Sequence, residues 1–134
     1  MVADDPGMHS SQNEQYTRLL AAFAGIPLFE PSDSQEAYDF TRAAFAASER
    51  WDTPVLVRST TRVSHSRSRV VLAATEEAPT REFERLPEKY VMLPRIARKR
   101  HTEPLKRFDL VGDCVGCLLF HRVDRRSTSL GVLT

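Results

Sequence analysis

Cysteine is scarce: only Cys114 and Cys117 occur in 134 residues, three apart, so no disulfide framework can hold this chain and a reducing, cytoplasmic setting is expected. Surplus charge is missing too. Nineteen basic side chains face eighteen acidic ones, a net of +1, which argues against a partner recognised by blanket attraction such as nucleic acid. No apolar run approaches the roughly 18 residues needed to cross a bilayer. Met1 is followed by Asp4 and Asp5 instead of a basic and then apolar leader, so neither membrane insertion nor secretion is expected. Internal repeats and low-complexity tracts are also lacking. What remains is a chain of the length of one domain, or a piece of one, 41% hydrophobic and 28% charged.

The first half alternates short apolar runs with helical periodicity, the pattern of an α/β unit with a parallel sheet and flanking helices. Val2-Ala3 opens it as a brief strand, stopped by the turn cluster Asp4-Asp5-Pro6-Gly7. Ser11-Gln12-Asn13-Glu14 has capping-box form, which predicts a helix from about Asn13 to Phe23. Tyr16, Leu19, Leu20 and Phe23 form its apolar stripe, and Gly25 sits where a left-handed cap is wanted. Pro27 to Glu30 reads as a second strand. Ser32 and Asp33 are rival caps of a second helix from Ser34 to Ser48 or slightly beyond, with Ala37, Phe40, Ala44, Phe45 and Ala47 among its apolar positions. Pro54-Val55-Leu56-Val57 is the third strand, β-branched as a strand covered on both faces should be. Phe23, Phe29, Phe40, Phe45, Leu56 and Val57 are therefore expected in the core.

Past Thr75 the chain turns acidic, then rich in Pro and Arg, with Pro79, Pro87, Pro94 and Pro104 expected to break any long element. Three segments result: 1–74, an irregular connector with short helices over 75–126, and the start of a further strand over 127–134. The connector should run over the surface between Thr75 and Pro104. Within it, Arg95 to Arg100 predicts a short basic helix with a solvated face. Cys114-Val115-Gly116-Cys117 with His121 has the spacing of half a metal site but lacks two more cysteines, so no metal is assigned. Gly112-Asp113 resembles the opening of a diphosphate motif but has no Asn at a useful distance. It carries no assignment.

Open parallel sheets bind ligands beyond the carboxyl ends of their strands, so the loops after strands one and three are the places to look. The first holds His9, Ser10, Ser11, Gln12, Asn13 and Glu14, an imidazole with hydroxyls and amides. The second holds Arg58, Thr61, Arg62 and His65, where a planar guanidinium can grip a carboxylate through two oxygens. His9 and His65 are candidate acid or base groups, because an imidazole is the side chain suited to proton traffic near neutral pH.

Val2 to Gln15, Glu30 to Tyr38, Thr53 to Leu56 and Thr60 to Ser66 together resemble the alpha subunit of indolepyruvate ferredoxin oxidoreductase, within the thiamine diphosphate-dependent 2-oxoacid ferredoxin oxidoreductase family. Lys89 to Pro94 and Arg98 to His101 resemble its connector more loosely. Ser129 to Thr134 resembles the opening strand of its next domain. The resemblance implies a thiamine diphosphate-binding fold, this chain forming the second half of its pyrimidine-binding domain over 1–74. It implies oxidative decarboxylation of aryl-2-oxoacids such as indolepyruvate to the aryl-acyl-CoA, with electrons passed through iron–sulfur clusters to ferredoxin. The implied partners are the rest of the alpha subunit, a beta subunit, ferredoxin, CoA and the aryl-2-oxoacid. The activating Glu would lie upstream, and the diphosphate domain with Mg²⁺ and the cluster domain downstream. The fragment alone should hold no catalytic residue, bind no cofactor and turn nothing over. One departure is local: the family continues after Gln15 with an acidic residue where this chain has Tyr16-Thr17, and the match weakens from Asp109 to Arg126. The competing reading is a stand-alone flavodoxin-like module for a small ligand or partner.

Overall fold

The computed structural model describes residues 2–3, 16–75 and 82–115. Its elements are β1 (Val2–Ala3), α1 (Arg18–Ala24), β2 (Leu28–Phe29), α2 (Ser34–Trp51), β3 (Leu56–Val57), β4 (Ser59–Thr60), α3 (Thr61–His65), α4 (Pro87–Tyr90), α5 (Pro94–Arg100) and α6 (Thr102–Val115). All strand pairing is parallel: Leu28 lies opposite Leu56 and Phe29 opposite Val57, while Val2 lies opposite Ser59 and Ala3 opposite Thr60. Successive backbone groups of a strand point to opposite sides. Leu56 and Arg58 donate to Pro27 and Phe29 at 2.9 and 2.8 Å, leaving the alternate groups for β1. The run from Leu56 to Thr60 therefore serves two parallel two-stranded pairings, β2 with β3 and β1 with β4, and changes partner at Arg58. Ser59 and Thr60, expected in a loop, instead extend the third strand.

Local signals explain the helices. Asp33, not Ser32, caps α2: its carboxylate accepts from the Glu36 amide at 2.8 Å, and Glu36 reaches back to the Ser32 amide at 2.8 Å. Asp33→Ala should cost about 1 kcal/mol of helix stability, read as faster amide exchange over the first turn of α2 with its centre unchanged. Gly25 closes α1 with φ of 63°, and Asp52 closes α2 in the same left-handed region. Pro87 and Pro94 do not interrupt helices but begin them, and Pro104 lies in the first turn of α6, where a missing N–H costs nothing. The basic helix is present as α5.

The core is one stripe of α2 laid on the strands. Phe40, Ala44, Ala47 and Trp51 recur every three or four residues and bury against Phe29, with Val55, Val57 and Val111 of α6 packed around them. Phe29 and Phe40 meet edge to face at 5.7 Å. The two alanines let the helix approach closely.

Several sequence expectations fail here. Phe45 sits about 100° around the helix from Ala44, off the stripe, and is 73% exposed; Phe23 is 93% exposed. Leu56 and Val57 are only half-buried. The first helix begins at Arg18, not near Asn13, since Tyr16 and Thr17 stand outside it; residues 11–15 lie outside the described set. Along the other flank of α2, Gln35 brackets Val71, accepting from its N–H at 2.7 Å and donating to its C=O at 3.2 Å. Tyr38 then accepts from the Ala73 amide and Arg42 donates to the Ala74 carbonyl, so residues 71–74 run along the helix.

Candidate functional site at the carboxyl edge of the sheet

Because β1 and β4 are parallel neighbours, the chain leaving Ala3 and the chain leaving Thr60 depart from the same edge. The loop after β2 opens there as well. Ser34 and Ser66 hydroxyls lie 3.3 Å apart, joining the start of α2 to the end of α3.

Extending the β2–β3 register by one residue sets Glu30 beside Arg58, so an opposite-charge pair follows from strand alignment alone. Arg58 is 1% exposed. Its Nη1 donates to Glu30 Oε1 at 2.5 Å and its Nε to Thr17 Oγ1 at 2.9 Å. Arg18 grips the same carboxylate with two bonds, Nε to Oε2 and Nη2 to Oε1, both 2.6 Å. A charge withdrawn from water this far must be paired and hydrogen-bonded, and Arg58 is both. The cluster also explains the late start of α1: the Thr17 hydroxyl, which could have capped the helix, is taken by Arg58, and Thr17 makes no side-chain cap bond.

The hydrogen bonds from Arg18, then the charges of Arg58 and Arg18, hold the Glu30 carboxyl below its ordinary range; desolvation pulls the other way and is overcome. The Glu30 contact, followed by Tyr16, raises the Arg18 guanidinium in turn.

After Arg58, α3 carries the other residues singled out in this loop. Thr60 caps it, its hydroxyl accepting from the Val63 amide at 3.4 Å. The Ser64 hydroxyl donates to the Thr60 carbonyl at 2.9 Å and pairs with Ser59 at 2.8 Å. Thr61 is half-buried, while Arg62 and His65 are exposed on the helix. The structure thus gathers Thr61, Arg62 and His65 on one short helix and draws Arg58 inward, away from them in role. His9, Ser10, Ser11, Gln12, Asn13 and Glu14 lie outside the described residues.

Thr17, Arg18 and Glu30 were not singled out from sequence. The available signal was Glu30 and Arg58 each ending a two-residue apolar strand, which parallel pairing brings side by side.

The carboxylates at this edge are committed among the described residues: Glu30 to two guanidiniums, Asp33 to the α2 cap and Glu36 to Ser32. Hydroxyls and the exposed Arg62 guanidinium share this edge with them, a donor set that fits positioning a polar or anionic group but not activating one. No group of three or more His, Cys, Asp or Glu among the described residues could hold a metal ion. None of their helices is long and apolar enough to cross a membrane.

Comparison with known proteins adds the family. A family model described as pyruvate flavodoxin/ferredoxin oxidoreductase, thiamine-diphosphate-binding, matches residues 6–107. The indolepyruvate oxidoreductase subunit IorA of Pyrococcus horikoshii is 47% identical over 117 residues, 81% of this chain and 18% of its own length. That of Methanothermobacter thermautotrophicus is 48% identical over 104 residues, 77% of this chain and 17% of its own. That of Thermococcus kodakarensis is 39% identical over 140 residues, 99% of this chain and 22% of its own. The chain spans about a fifth of the length of the curated relatives it matches. No solved structure matches it.

Proposed function

The chain belongs to the pyruvate flavodoxin/ferredoxin oxidoreductase, thiamine-diphosphate-binding family, and from that premise we propose that it is the second half of the pyrimidine-binding domain of an enzyme that oxidatively decarboxylates aryl-2-oxoacids, indolepyruvate among them. The observation that carries this is the match over residues 6–107, supported by relatives named for indolepyruvate. When bound, thiamine diphosphate supplies a nucleophilic carbon and an electron sink. The rest of the machinery belongs to the remainder of the subunit and to its partners: the activating Glu, the Mg²⁺-bound diphosphate site, the iron–sulfur clusters, and the contacts to CoA, a beta subunit and ferredoxin. Residues 75–126 are the link to that remainder, and 127–134 open its next domain. Cut out alone, the chain turns nothing over.

Its own residues position. Arg62, exposed on α3, is the partner for the substrate carboxylate, because a guanidinium binds two oxygens at once. His9 to Glu14, with Thr61 and His65, complete the polar lining. Arg58, pinned by Glu30, fixes where α3 begins.

The test is Arg62→Ala and His9→Ala in the full-length enzyme, read as kcat and KM for indolepyruvate. Arg62→Ala should raise KM about ten-fold, the loss of roughly 1.4 kcal/mol of charge-assisted hydrogen bonding. His9→Ala should lower kcat. Wild-type values in both, with the fold intact, would make these loops structural and the site assignment wrong.

A further inference from the structure

Two adjoining clefts lie away from the sheet edge, between α4, α5, α6 and the end of α2. One, of about 420 Å³, is lined by Arg95, Lys99 and Arg100 together with the apolar Leu86 and Ile96. The other, of about 350 Å³, is lined by Arg100 and Arg107 beside the Asp52–Lys89 pair. Arg100 and Lys89 belong to both, so the two form one trough.

The charges in it are unusual in three ways. Asp52 is joined to Lys89 at 2.6 Å, so that pair is internally balanced. Arg95, Lys99, Arg100 and Arg107, by contrast, make no side-chain hydrogen bond or ion pair among the described residues. Arg100 and Arg107 are nevertheless half-buried, where a charge without a counterion is unfavourable. Finally, Arg95 occupies the first turn of α5, which holds no acid, so the helix dipole opposes it, and Lys99 four residues on adds like-charge repulsion. Arg98 to Arg100 at the helix C-terminus suit the dipole and explain themselves; Arg95 does not. Three carboxylates besides Asp52 also line the trough, Glu49, Glu88 and Glu103, the last 3.5 Å from Lys106, so the site suits an anion held at several points better than a single small ion.

The geometry points to this trough as a binding site for a small molecule carrying a diphosphate, a nucleoside diphosphate in class: the linked phosphates span Arg95, Lys99, Arg100 and Arg107, and the heterocycle packs on Leu86 and Ile96. A cleft of several hundred cubic ångströms with a few convergent polar groups is the size such ligands use. The site is separate from the carboxyl edge and does not rest on the reading proposed for it.

The experiment is calorimetric titration of the intact protein with ADP and with pyrophosphate at low and high salt, thiamine diphosphate being present in excess so that any site of its own is filled. ADP should bind saturably, more tightly than pyrophosphate, and weaken as salt rises. In the Arg95→Gln/Lys99→Gln/Arg100→Gln variant ADP affinity should fall at least ten-fold, with circular dichroism and thiamine diphosphate affinity unchanged. Arg107→Gln, a single change on another helix, should lower it about three-fold and serves if the triple variant fails to fold. Absence of saturable ADP binding, equal affinity in the variants, or binding of heparin or an acidic peptide in place of ADP would overturn the proposal. A protein that binds ADP here but no thiamine diphosphate would sink the function proposed above and leave this site standing.

Discussion

Glu30→Gln is expected to loosen the sheet by about 3 kcal/mol, because it leaves the Arg58 guanidinium buried with its carboxylate partner gone. In the intact protein this appears as a roughly hundred-fold faster exchange of the β2 and β3 amides, with α5 and α6 little affected. The pH dependence has a definite sign. A carboxyl held below its ordinary value near 4.5 contributes stability that is fully present above that value and is lost as pH falls through the lower, folded one. Wild-type opening energies of β2 and β3 should therefore fall as the solution is acidified below about pH 4.5, and the Gln variant should show a flatter profile. Adding Arg58→Met to Glu30→Gln should return part of the loss, since an apolar side chain of similar length has no charge to strand. Opening energies unchanged by Glu30→Gln would mean that Arg58 draws its compensation from elsewhere.

Trp51→Ala is expected to cost about 4 kcal/mol, the largest effect of any single truncation here, because the indole closes the end of the Phe29, Phe40, Ala44 and Ala47 stripe and is 7% exposed. Trp51→Phe should differ sharply. The indole Nε1 is buried without a hydrogen-bond partner among the described residues, so removing it breaks no bond and relieves an unsatisfied donor, offsetting the smaller ring. The expected loss is under about 1 kcal/mol, read from amide exchange across the second half of α2. Equal damage from both substitutions would show that the nitrogen has a partner after all.

These cases show what was legible in the residues. Backbone chemistry is local, so Gly25 and Asp33 announce the ends of their helices, and the β-branched run at 55–57 announces a strand whose parallel pairing with Leu28 and Phe29 follows. Phe23 was misplaced because periodicity marks an apolar side, whereas burial needs a neighbour, and none among the described residues covers it; Phe45 was misplaced because it stands off the stripe that the spacing of Phe40, Ala44, Ala47 and Trp51 marks. The helix start at Arg18 was hidden for another reason: Ser11 to Glu14 competes for the cap on local terms, while the rival claim on Thr17 comes from Arg58, 41 positions away. The Arg58 side chain was read as a ligand-binding group when it stood among exposed-looking hydroxyls. Only alignment of two strands reveals that Glu30 neutralises it.

The way α2 holds residues 71–74 bears on how that stretch can change over generations. The hydrogen bonds that Gln35, Tyr38 and Arg42, one flank of the helix, make to residues 71–74 all go to main-chain groups, and the Val71 and Leu72 side chains stay in solvent. The instructions for the path of this segment are therefore written in the helix and not in the segment itself. Its side chains can drift freely so long as no proline removes the N–H groups of residues 71 and 73, while the three helix positions carry the constraint on its behalf.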